Sequence, residues 1–128
     1  MSAGAKTILV VDDAALARAY YRSILEDAGF LVEEALNGLE ALEVLLVKAV
    51  DLLVVDINMP QMDGLTFLRA LREREDPLAA IPALVASTES AQADFAAARA
   101  AGANFYLVKP AEREQLVDFA RMLCGVSP

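Results

Sequence analysis

Five short apolar runs, each followed by a stretch with helical character, constrain this 128-residue chain more than any other feature. Leu52-Leu53-Val54-Val55 is the most strand-like of them, with no polar alternation, and it ends at Asp56. Thr7-Ile8-Leu9-Val10-Val11 is similar and ends at Asp12-Asp13. Ala83-Leu84-Val85-Ala86 runs into Ser87-Thr88, and Asn104-Phe105-Tyr106-Leu107-Val108 runs into Lys109-Pro110. Phe30-Leu31-Val32-Glu33-Glu34-Ala35 is a short, partly exposed strand. Strands without alternation are buried on both faces, which is the mark of a parallel sheet.

The segments between them carry helical spacing. One helix is predicted from about Ala14 to Ala28, with Gly29 as its stop. A second runs from Gly38 to about Val47, with Leu39, Leu42, Leu45 and Leu46 on one side. A third spans Leu65 to about Arg74, where Leu65, Leu68 and Leu71 recur, and Pro77 and Pro82 bound the loop after it. An alanine-rich fourth covers Ala91 to Ala101 and is stopped by Gly102. The last is expected from Glu112 to Leu123, with Leu116, Phe119, Ala120 and Leu123 turned inward. A βα unit repeated five times predicts an α/β fold: one five-stranded parallel sheet, doubly wound, with helices on both faces. No linker or low-complexity stretch divides it, so a single domain over residues 1–128, with its core at about 6–123, is expected, without room for an output domain.

Composition narrows the function. The formal net charge of -8 argues against sequence-independent binding to nucleic acid or to an anionic membrane. There is no histidine and one cysteine, Cys124. Histidine-dependent nucleophilic sites and histidine-ligated zinc are therefore excluded, as is an intrachain disulfide. Cys124 lies in an apolar stretch and reads as a packing residue. Without a signal-peptide pattern or a run of membrane-spanning length, the chain is expected to be cytoplasmic.

In an open α/β sheet, sites form beyond the carboxyl ends of the strands. This chain puts its unusual polar residues there: Asp12-Asp13, Asp56, Ser87-Thr88 and Lys109. Taken singly, each has a plainer reading. Asp12-Asp13 or Ser87-Thr88 could cap the helix that follows, Lys109 could be a surface lysine, and Asp63-Gly64 is a turn and helix start. Taken together they suggest chemistry. Converging carboxylates raise one another's pKa. A hard divalent cation relieves that conflict, and an oxygen-only donor set points to Mg²⁺. A carboxylate beside Mg²⁺, a hydroxyl and an ammonium are suited to taking up a phosphoryl group.

Asp12-Asp13, Asp56, Ser87 and Lys109-Pro110, in this order and spacing, resemble the receiver domains of two-component response regulators. The stretch Asp56-Ile57-Asn58-Met59-Pro60-Gln61-Met62-Asp63-Gly64 resembles the family's most recognisable segment, and the likeness covers roughly Lys6 to Leu123. It is strongest to the single-domain chemotaxis type. The resemblance implies a flavodoxin-like strand order 2-1-3-4-5. It implies that Asp56 accepts phosphoryl from a histidine kinase, and that Asp13 and Asp56 hold Mg²⁺ with the Asn58 backbone carbonyl. Asp12 would orient the metal or act through water, Ser87 would move toward the phosphoryl group, and Lys109 would contact it. Tyr106 would be an aromatic switch that rotates inward, and the Lys109-Pro110 bond would be cis. The output surface would be the fourth helix, fifth strand and fifth helix. The state would be a monomer or a phosphorylation-linked dimer.

Several positions are particular to this chain. Thr88 follows the switch hydroxyl, and its methyl group narrows access to the phosphoryl site. Asn58 and Glu89 stand where the family flanks the attacking water, so they are expected to tune dephosphorylation. Ala111 stands where chemotaxis regulators commonly carry Phe. The expected function is a stand-alone signalling switch, with self-phosphorylation from small donors and self-dephosphorylation. The alternatives are a phosphate sink or relay step, or a receiver taken from a larger regulator. A haloacid-dehalogenase-type phosphatase is disfavoured because Asn58 stands where its second Asp acts as general acid. Nucleotide-binding glycine motifs are absent.

Overall fold

The apolar run that ends at Asp56 becomes the middle of the sheet, and all five residues of Leu52–Asp56 are buried. The computed structural model describes residues 4–57, 59 and 63–126. The elements are β1 (Thr7–Val11), α1 (Ala15–Asp27), β2 (Leu31–Ala35), α2 (Gly38–Val47), β3 (Leu52–Asp56), α3 (Gly64–Arg72), β4 (Ala83–Ser87), α4 (Gln92–Ala101), β5 (Phe105–Val108) and α5 (Arg113–Cys124). A 3-10 turn at Pro77–Ala80 occupies the loop bounded by the two prolines.

The sheet is parallel throughout, in the order β2-β1-β3-β4-β5. The chain steps outward from β1 to β2 and then returns past β1 to β3. The order therefore reverses between β1 and β3, and Asp12 and Asp56 stand at the carboxyl ends of these two strands, where open α/β sheets place their sites. Asp51 ties the other end of the same strands, because its carboxylate accepts from the Thr7 N–H at 2.9 Å.

Period-two side-chain direction divides the core into two layers. Ile8, Val10, Leu52 and Val54 face α1 and α5, whereas Leu9, Val11, Leu53 and Val55 face α2, α3 and α4. Each such side chain contributes about 1.5–3 kcal/mol of burial. Gly29 and Gly102 follow α1 and α4 with φ of 99° and 111°, the left-handed region where glycine ends helices at little cost.

Three expectations need correction. Burial on both faces holds for β3 and β4 and nearly for β1, but not for β5, an edge strand with exposed positions; β2, the other edge, is partly exposed as its sequence implies. In α2 the buried side is Gly38, Ala41 and Leu45, while Leu39 and Leu46 are exposed. The helix is apolar nearly all round, so counting leucines does not reveal which 100° step faces the sheet. In α5, Val117 and Cys124 join Leu116 and Ala120 in the core, and Phe119 and Leu123 are only partly buried. Among the described residues, no helix is long and apolar enough to cross a membrane.

Candidate functional site

Asp12 is 1% and Asp56 8% exposed, and both lie where their strands end. Asp13 is exposed beside them, and carboxylate oxygens of the three residues lie within 4.8 Å of one another. From the end of β5, Lys109 reaches across. Its Nζ donates to Asp12 Oδ2 at 3.0 Å and to Asp56 Oδ1 at 3.2 Å. The Lys109-Pro110 peptide bond is cis.

Burial raises the Asp56 carboxyl above its ordinary pKa; the Asp12 and Asp13 charges push the same way, and Lys109 opposes them. Burial alone would lower the Lys109 ammonium, but its hydrogen bond to Asp12 and the Asp56 charge leave it raised. One ammonium thus faces three carboxylates, which leaves an excess of negative charge in a partly buried pocket. The donors are all oxygen, and this set fits Mg²⁺.

Asp12 is held at every polar atom. Its N–H donates to the Ala35 carbonyl, its Oδ1 accepts from the Ala14 N–H at 2.9 Å, and its carbonyl accepts from Arg18 Nη1 at 2.8 Å. Ala14, the residue that opens α1, provides no side-chain cap. The Asp12 carboxylate therefore caps the turn before the helix while it faces Lys109.

At the end of β4, Ser87 is 1% exposed and its Oγ accepts from the Glu89 N–H at 3.1 Å. Thr88 and Glu89 are exposed. Ser87 and Thr88 do not cap α4. The residue that precedes that helix is Ala91, whose N–H donates to the Asp94 carboxylate. Tyr106 is half-buried and directs its hydroxyl to the Glu89 carbonyl at 2.9 Å, with its ring edge-on to Phe95 at 4.6 Å. The expected roles of Asn58 fall outside the described residues.

Asp63 caps α3, accepting from the Thr66 N–H. Gly64, read from sequence as part of a turn, has a stricter duty. A β-carbon there would collide with the Asp56 carbonyl oxygen and lie 3.0 Å from Ile57 Cα. The backbone behind Asp56 thus packs directly on the start of α3. Three further residues at the pocket had no signal in the sequence. Arg18 holds the Asp12 carbonyl. Tyr20 donates to the Ala111 carbonyl at 2.6 Å and fixes the loop after Lys109. Burial pushes the Tyr21 hydroxyl up to about 12, and the Lys109, Asp12 and Asp56 charges all reach it.

The model of the response regulator receiver domain family matches residues 8–121. The chain is 40% identical over 116 residues to response regulator MprA of Mycobacterium ulcerans (strain Agy99), an alignment covering 91% of this chain and 49% of that protein. It spans about half the length of the curated relatives it matches. Among solved structures, the chemotaxis protein CheY4 of Vibrio cholerae superimposes with a TM-score of 0.86 at 32% identity, covering 93% of this chain and 98% of that one. The receiver domain of Francisella response regulator 1452 gives 0.87 at 25% identity, covering 94% and 97%. The five-stranded order, the acidic cluster at the β1/β3 reversal and the family match agree, and the chain belongs to the response regulator receiver domains, the signalling switches of two-component systems.

Proposed function

We propose that this chain is a stand-alone phosphorylation switch in which Asp56 accepts a phosphoryl group from a histidine kinase. The observation that carries the reading is the bridge from Lys109 to the buried carboxylates of Asp56 and Asp12. A buried carboxylate that an ammonium and two neighbouring acids surround has few purposes other than to receive an anion together with a cation.

Asp12, Asp13 and Asp56 would hold Mg²⁺, with the Asn58 backbone carbonyl as a further ligand. Bound there, the ion would neutralise charge on the carboxylates and on the incoming phosphoryl oxygens. An Asp56 carboxylate oxygen forms the bond to phosphorus, and the bond from phosphorus to the donor's imidazole nitrogen breaks. Lys109 exchanges its Asp56 contact for a phosphoryl oxygen. Ser87 gives up the Glu89 N–H to bond another, and the Thr88 methyl group narrows the approach. Asn58 and Glu89 set how readily water reaches the phosphorus.

The signal leaves through α4, β5 and α5. Tyr106 supports this, because its hydroxyl bonds the Glu89 carbonyl, in the loop that also holds Ser87. When Ser87 moves, that contact is lost or remade and Tyr106 turns inward, biasing an existing two-state equilibrium. A groove of 530 Å³ between α4 and β5, lined by Phe95, Arg99, Phe105, Tyr106 and Val108, is suited to a protein target or to a second copy in a phosphorylation-linked dimer. The stand-alone, chemotaxis-like reading is supported by the match to nearly all of the chemotaxis protein CheY4. A second reading, the receiver of a longer regulator, is favoured by the half-length match to the MprA relatives.

Beryllium fluoride with Mg²⁺ mimics the phosphoryl group, and amide NMR reads its effect. Shifts are expected at Ser87 and Tyr106 and along α4 and β5. Shifts confined to the residues around Asp56 would contradict the switch.

A further inference from the structure

We propose that Arg18 is a positioning residue for the acidic pocket: it braces Asp12 from behind, and the pocket's affinity for Mg²⁺ depends on it. The inference rests on the reading of that pocket given above.

Arg18 lies on α1 and only 13% of its side chain is exposed. Its two ends do different work. Nη1 donates to the Asp12 backbone carbonyl at 2.8 Å, and Nε donates to Glu34 Oε1 on β2 at 2.8 Å. The guanidinium is therefore a rigid strut from the neighbouring strand to the backbone of a pocket carboxylate. Glu34 is itself anchored, since its second oxygen accepts from Arg22 Nε at 2.7 Å. Arg22 reaches on to the Val32 carbonyl and to Glu26, so the outer end of the strut is fixed on both α1 and β2.

The strut matters because the start of α1 supplies no side-chain cap of its own to hold this turn, and the first turn of the helix carries no acid. Asp12 itself caps that turn through Oδ1, the same carboxylate that faces Lys109 and two other acids. Mutual repulsion among the three carboxylates pushes Asp12 outward. Its backbone resists through the Ala35 carbonyl on one side and Arg18 on the other. Groups that orient a metal ligand without touching the metal commonly govern affinity by 10- to 100-fold.

Arg22 is the internal control. It shares Glu34 and the same face of α1 but does not contact Asp12. The experiment is titration of the full chain with Mg²⁺ alone by isothermal calorimetry, with melting temperatures taken in EDTA. Arg18→Ala is expected to weaken Mg²⁺ binding by about tenfold. Arg22→Ala, which leaves the Asp12 carbonyl's contact intact, is expected to stay within about twofold of the parent. Arg18→Lys should fall between the parent and Arg18→Ala, because one ammonium cannot reach both the Asp12 carbonyl and Glu34 as the planar fork does. If Arg18→Ala is unfolded, the Lys variant decides alone. Equal affinity in the Arg18 variants and the parent would overturn the proposal, as would equal weakening by Arg18→Ala and Arg22→Ala. A parent chain that does not bind Mg²⁺ would overturn the reading of the pocket itself, and the brace with it.

Discussion

Asp56 combines three constraints that no single neighbour explains. It is the last residue of a fully buried strand, its carboxylate meets Lys109, and its carbonyl packs against Gly64. The last of these yields a direct prediction. Gly64→Ala should force the backbone of Asp56 or of α3 to shift, because the atom it meets is main chain and cannot rotate away. Overpacking of this kind costs about 1–3 kcal/mol. Urea denaturation should show that loss, and Mg²⁺ affinity should fall with it. Unchanged stability would mean that the contact is slack. The acids and Lys109 were legible in the sequence because each follows directly on an apolar run, so locating the strand locates the residue. Gly64 was not. A glycine after aspartate reads as a turn, and the need for it arises from a carbonyl eight positions earlier in the chain. Arg18 was hidden for a related reason, since its partner is a backbone oxygen, which every residue has.

At the scale of elements, β2 is braced by side chains. It is an edge strand, and Arg18 and Arg22 tie its Glu34 to α1. The hydrogen bond from Arg22 holds the Glu34 carboxyl below its usual range; burial opposes this, and Arg18 adds to it. The folded-state value lies under the unfolded one. The pairing therefore stabilises the fold above the ordinary carboxylate pKa of about 4.3 and is lost as pH falls through the lowered value. Glu34→Gln should accordingly be less stable than the parent near neutral pH, by at most about 1 kcal/mol given its partial exposure. The gap should close as the solution is acidified below pH ~4. Denaturation at several pH values checks this, and a gap that widens in acid would contradict it. Element order and type followed from the alternation of apolar runs and helical spacing. What did not follow was the facing of α2, because Leu39, Leu42, Leu45 and Leu46 satisfy several rotations equally well. Only packing against the sheet selects Ala41 and Leu45.

At the scale of the whole molecule, the sheet brings together residues 97 positions apart, since Asp12 and Lys109 meet only when β1 and β5 lie in one sheet. The pocket thus reports on the whole fold. In the proposed switch, an event at Asp56 would reach the α4–β5 groove through Ser87, which the Glu89 N–H bonds, and the Glu89 carbonyl, which Tyr106 bonds. The central claim is that Asp56 carries the phosphoryl group. The most direct measurement is intact mass after incubation with acetyl phosphate, with and without Mg²⁺, for the parent chain and for Asp56→Asn. The parent should gain one phosphoryl group only when Mg²⁺ is present, and the variant should gain none. An equal gain in the variant, or no gain in the parent, would contradict the central claim.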